Sequence, residues 1–128
     1  MNPSDEIELC EVVITAPDSE WLRGFTRSLV VDRLASNVHN FAPVRSTYRW
    51  GDEVHDRTEG RASLHTRRSL ISVIVERAAE VHPYVVPSIS ARPIYDGSPD
   101  YLAWIRRQTE QVFPSVAPGD SGGTQVNE

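Results

Sequence analysis

Lysine is missing altogether from this 128-residue sequence, and all 13 basic residues are arginine. That absence excludes a Walker A phosphate loop, a Schiff base and a lysine general base. A single cysteine, Cys10, excludes an intrachain disulfide, a CxxC redox pair and a thiolate-rich zinc site. Long hydrophobic runs are also absent. The unbroken apolar stretches hold only a few residues, where a membrane-spanning helix needs about 20, so no membrane role is expected. The net charge is −5, and no basic block stands out. A protein that tracks nucleic-acid phosphates is therefore not expected. The opening MNPSDEIE is acidic and carries neither the basic n-region nor the apolar h-region of a secretory signal, so a cytoplasmic location is expected.

What is present suits one domain with a single core. The hydrophobic share of 39% is below the usual globular level, leaving room for polar tails or for apolar surface completed by a partner chain. Residues 9–15, LCEVVIT, read as a buried strand rich in β-branched side chains. Asp18 is placed to cap a helix over 19–34, where Trp21, Leu22, Phe25 and Leu29 fall at helical spacing. Ser36 to Trp50 has no helical period, and its STYRW segment has strand propensity. Gly51-Asp52 is a turn signal. In RASLHT, residues 61–66, alternation turns Ala62 and Leu64 to a core and Arg61, Ser63 and His65 away from it. The spacing of Leu70, Ile74, Ala78 and Val81 predicts a helix over 68–81, ended by Pro83 and Pro87. VVPSISARPI reads as a strand whose prolines belong at an edge or at its ends. Ser98-Pro99 opens a third helix with Leu102, Ile105, Thr109 and Val112 on one stripe.

The resulting order is β-α-β-β-α-β with an added C-terminal helix. It is an α+β, ferredoxin-like (split βαβ) arrangement. The domain is expected over 9–113, flanked by a flexible tail at 1–8 and a disordered, small- and polar-rich tail at 114–128.

TAPD (15–18), DRLAS (32–36), STYRW (46–50), HTR (65–67), HPYVVP (82–87) and DYLAW (100–104) occur in this order. Together, over roughly residues 11–113, the chain resembles CutA, the divalent-cation tolerance family. HPY-x-VP with YLxW is the diagnostic combination. The resemblance implies a ferredoxin-like subunit, a tight homotrimer like that of the PII signalling proteins, a cytoplasmic location and a link to tolerance of copper and other divalent metals. It identifies no reaction. Several positions depart from the family pattern. Asn37 stands where a cysteine is common, which removes a soft copper ligand. His65 replaces a lysine before threonine, and Val85 replaces a glutamate after HPY. Gly60 to Leu64 replaces a strand usually filled with aliphatics.

His82 is the metal-ligand candidate, since a neutral imidazole is available near pH 7. Its other reading is a helix-terminal histidine that caps carbonyls, and this is favoured because no second His, Cys or carboxylate lies at ligand spacing. Tyr84 and Trp104 are candidates for lining a cleft between subunits, with interface packing as the commoner role. Tyr48 and Trp50 sit on an expected long hairpin and fit interface packing. Arg49 and Arg67 are possible anion forks, with ion-paired arginine the more usual case. His65 belongs to the same possible cleft or interface group. His39, His55 and His65 are scattered along the chain, and His55-Asp56 is a weak chelate at best.

The expectation is a non-enzymatic homotrimer of divalent metal tolerance. It requires no cofactor and binds Cu(II) or another divalent cation weakly at most. The other reading is a PII-like sensor taking a small anion or nucleotide in inter-subunit clefts. A hydrolase of the acylphosphatase kind would need a glycine-rich phosphate loop with its arginine, and none is seen.

Overall fold

Alternation decides the first element of the computed structural model, which describes residues 7–84 and 86–111. In β1 (Leu9–Ala16), Cys10, Val12, Ile14 and Ala16 are buried on one face, while Glu11, Val13 and Thr15 lie on the other and are partly open. Helix α1 (Ser19–Val31) starts where Asp18 Oδ1 accepts the Glu20 N–H at 2.9 Å, which satisfies an otherwise unpaired first-turn donor. It buries Leu22, Phe25, Thr26 and Leu29.

The helix ends three residues short of the expected 34. Arg33 turns left-handed at φ 62°, and the Leu34 N–H closes back on the Leu29 carbonyl at 2.8 Å. That closure returns Leu34 to the core. A left-handed non-glycine residue costs roughly 1–2 kcal/mol. Arg33 offsets this by donating to the carbonyls of Arg107 at 2.7 Å and Glu110 at 3.3 Å, at the far end of the third helix.

The segment without helical period forms two strands, β2 (Asn37–Asn40) and β3 (Val44–Trp50). Pro43 lies in the gap between them and has no N–H to give a ladder. A two-residue turn with Gly51 at φ 63° leads into β4 (Glu53–Arg67), a 15-residue strand far longer than RASLHT alone suggested. A 3-10 turn (Arg68–Leu70) precedes α2 (Ile71–Val81). Leu70, Ile74 and Ala78 are buried as expected, but Val81 is 53% exposed. β5 (Ser88–Pro93) and α3 (Pro99–Gln108, with Pro99 in the first turn) complete the order.

The antiparallel sheet runs β2-β4-β1-β5, with β3 pairing the N-terminal half of β4. β1 therefore sits between the third and fourth strands of the ferredoxin-like pattern, and that pattern's second strand is split into β2 and β3. α1 and α2 cover one face, packing Leu22, Phe25, Leu29, Ile74 and Ala78 against Val12, Ile14, Ala16, Ala62 and Leu64. Gly60 is required here. A Cβ at this position would lie 2.8 Å from Ser19 Cα, where α1 meets the sheet.

α3 lies on the opposite face. Ile105 is fully buried there. Arg67 Nε donates to Thr109 Oγ1 at 3.1 Å, and its NH2 donates to the Arg106 carbonyl at 2.7 Å. Glu8, which the sequence placed in the N-terminal tail, is held to Arg106 at 2.7 Å and Arg67 at 3.3 Å. Its carbonyl accepts the Arg68 N–H. These ion pairs hold Glu8 between β4 and α3. Residues 1–6 of the expected N-terminal tail, all of the expected C-terminal tail, and Val112 lie outside the described residues. No helix among the described residues is long and apolar enough to cross a membrane.

Candidate functional site

The corner between α2 and β5 is built on His82. Its backbone N–H closes the helix on the Ala78 carbonyl, and its ring turns inward to the sheet. Nε2 lies 2.9 Å from the Thr15 carbonyl, and Nδ1 lies 3.0 Å from the Tyr84 backbone N–H. A carbonyl only accepts and a backbone N–H only donates, so the ring is the neutral Nε2–H tautomer with Nδ1 as acceptor. The ring also meets Trp21 edge-on at 5.2 Å and lies tilted at 5.1 Å from Tyr84. No lone pair remains for a metal. The ligand reading of His82 therefore gives way to the corner reading, though the carbonyl it binds belongs to β1 and not to its own helix.

The corner delivers Tyr84 onto the open face of the sheet, beside the β3–β4 hairpin. Strand alternation places Tyr48, Trp50, Arg57 and Glu59 on that same face, and Thr15 and Ser88 at its floor. Together with Pro83 and Val86 they enclose a cavity of about 450 Å³. The Tyr84 hydroxyl donates to Glu59 Oε2 and accepts from Arg57 NH1 at 3.0 Å. The Arg57 guanidinium lies over the rings of Tyr48 and Tyr84, at 5.5 and 5.2 Å from their centroids. This contact is electrostatically favourable.

Burial, together with the hydrogen bond to Glu59, raises the Tyr84 phenol above its usual value, with Arg57 opposing. The hydrogen bond that Arg57 donates to Tyr84 does most to raise the Arg57 guanidinium. Glu59 is only 8% exposed. Sequence reading found Tyr48, Trp50 and Tyr84 but missed Arg57, Glu59, Thr15 and Ser88. The signal was present: counting back from Gly51-Asp52 pairs Tyr48 with His55 and Ser46 with Arg57, which sets Arg57 and Glu59 on the tyrosine face.

The other sequence candidates form a separate cluster at the opposite end of this face, under α3. His65 Nδ1 and the Tyr101 hydroxyl are 2.6 Å apart, and that hydroxyl reaches Asn37 Oδ1 at 3.4 Å. Trp104 stacks on Tyr101 at 5.7 Å. Tyr84 and Trp104 thus do not share a cleft within the chain. Burial holds the His65 imidazole below its ordinary value, with Glu11 opposing and His39 reinforcing the shift. Arg67 is no anion fork, because it is already engaged by Thr109, the Arg106 carbonyl and Glu8. Arg49 is exposed on β3.

The donor set does not fit a dedicated metal centre. Among the described residues no group of three or more His, Cys, Asp or Glu is assembled. Cys10 is buried, and burial raises its thiol against the opposing charge of Arg68, which disfavours the thiolate that binds metals. His55 does not pair with Asp56, since neighbouring strand residues face opposite ways. Asp56 accepts from Thr47 at 2.5 Å, and His55 Nε2 lies 3.4 Å from Glu53 Oε1. Val85 lies outside the described residues.

The profile of the CutA1 divalent ion tolerance protein family matches residues 10–108. The divalent-cation tolerance protein CutA of Thermus thermophilus is 38% identical over 98 residues, covering 77% of this chain and 95% of that protein. The chloroplastic protein CutA of Arabidopsis thaliana is 33% identical over 98 residues, which is 77% of this chain but 54% of the relative's length. The solved structure of the Thermus thermophilus protein superposes with a TM-score of 0.77 at 36% identity, covering 80% of this chain and 99% of that one.

Proposed function

The chain belongs to the CutA1 divalent ion tolerance family, and from that premise we propose that it is a non-enzymatic homotrimer serving tolerance of divalent metal ions, copper among them, which it contacts only weakly. The arrangement around His82 carries this reading. The one histidine positioned at a buried corner spends both ring nitrogens on backbone groups. Metal contact is left to surface donors such as His55 with Glu53. A binding role is supported by Arg57, Tyr84 and Glu59, which pair with one another and activate no nucleophile.

Trimer formation is supported by the projecting hairpin arm, where Val54, on the face turned away from the cavity, is 58% exposed. Large obligate interfaces bury more than about 2,000 Å² and make up for a modest protomer core.

Light scattering after size exclusion is expected to give three chain masses of 14.4 kDa, and a clean monomer would refute the assembly. In calorimetric titration, Cu(II) is expected to bind weakly and ahead of Zn(II), following the divalent affinity order. His55→Ala should lower that affinity several-fold. Tight copper binding that survives His55→Ala would refute the surface-donor reading. A second reading, small-ligand sensing in clefts between subunits, is favoured by the cavity at the base of the arm.

A further inference from the structure

We infer that the cleft between the β3–β4 arm and the 82–88 corner recognises a free α-amino acid with an apolar or flat side chain, engaging its carboxylate through Arg57 and its ammonium through Glu59. This rests on the ligand-sensing reading and gives its ligand a chemistry. Glu59 lines the cavity and as a residue is more than nine-tenths buried. Tyr84 occupies Oε2, and among the described residues no donor reaches Oε1. A buried carboxylate oxygen without a partner is costly, and a charged N–H donor from a ligand supplies what the fold omits. Arg57 gives NH1 to Tyr84 but lies across two ring faces, which leaves in-plane N–H donors at its edge. A guanidinium edge matches a carboxylate.

The site therefore presents one fixed positive and one fixed negative group, joined through the same hydroxyl. A phosphate or dicarboxylate would set surplus negative charge against Glu59. A bare metal cation or an amine would sit against Arg57 with nothing to balance it. A zwitterion answers both charges together. The remaining walls are Tyr48, Trp50, Pro83 and Val86, apolar surfaces suited to an aliphatic or aromatic side chain. About 450 Å³ lies within the usual range of small-ligand sites, about 300–1,000 Å³.

The test titrates the full-length protein calorimetrically with L-phenylalanine, L-leucine, 3-phenylpropionate (no ammonium) and phenethylamine (no carboxylate). The amino acids are expected to bind at least 10-fold more tightly than either truncated analogue. Glu59→Gln should erase the preference over 3-phenylpropionate, and Arg57→Gln the preference over phenethylamine. Should the buried Glu59 variant fail to fold, Trp50→Ala, on the exposed arm, should still weaken L-phenylalanine binding. Equal affinity for the amino acid and its analogues overturns the inference. Binding of inorganic phosphate or ATP without the amino acids overturns it too, while leaving the cleft as a ligand site. Binding of no compound at all overturns both.

Discussion

His82→Ala separates a structural corner from a metal ligand. The substitution removes the donor to the Thr15 carbonyl, the acceptor for the Tyr84 N–H, and ring contacts with Trp21 and Tyr84. A net hydrogen bond is worth about 1 kcal/mol, and a buried partner left unpaired costs about 1–3 kcal/mol. Tyr84 and Thr15 are only partly buried, so water recovers some of this, and the expected loss is about 2–4 kcal/mol. For a domain near 100 residues that lowers the melting temperature on the order of 10–25 °C. His82→Asn keeps an acceptor near Nδ1 and His82→Gln keeps a donor near Nε2, so each should restore part of the loss. Melting and urea unfolding should be compared at one chain concentration, because assembly makes the midpoint concentration-dependent. Copper titrations on the same folded variants should show unchanged affinity. An alanine variant as stable as the parent but stripped of copper binding would refute the corner assignment.

Gly60→Ala puts a Cβ 2.8 Å from backbone Ser19 Cα, and α1 must lift off the sheet to admit it. A loss of roughly 1–3 kcal/mol is expected, and a denaturation midpoint equal to the parent's would show that the helix start is not held there. His65 is held below its ordinary value by burial, so the unfolded chain takes up the proton first as pH falls through about 6.5. Stability should therefore be full above that pH and should fall below it, down to the folded-state value. His65→Gln should flatten this part of the profile below about pH 6.5; an equally steep decline in the variant would place the slope elsewhere.

Periodicity made much of this fold legible. The core stripes of β1, α1 and α2 were plain because buried residues repeat at strand or helix spacing. Two other segments were hidden for definite reasons. β2 is four residues broken from β3 at Pro43, too short to show alternation. The first half of β4 is polar because it lies in an exposed two-stranded arm, where no core selects its side chains. The site followed the same division. Aromatic candidates such as Tyr48 and Tyr84 announce themselves by type, whereas Arg57 and Glu59 look like ordinary surface charges until the register places them beside a tyrosine. For His82 the sequence favoured a structural corner, but nothing in it reveals that the ring reaches across to the Thr15 carbonyl of β1.

β4 is one unbroken strand that crosses two mechanical regimes. From Gly60 onward it is braced by β1, and through residues 62–65 by β2 as well, whereas from Glu53 to Glu59 it leans on β3 alone. Two-stranded ribbons are only marginally stable in water, so within a single chain amides before Gly60 exchange by fraying while those beyond it wait for the core to open. Arg57 and Glu59 are the last cavity-lining residues on the frayed side. A molecule gripped by them stiffens the ribbon at its root, and its arrival is recorded as slowed amide exchange along the arm while Leu64 keeps the same exchange rate.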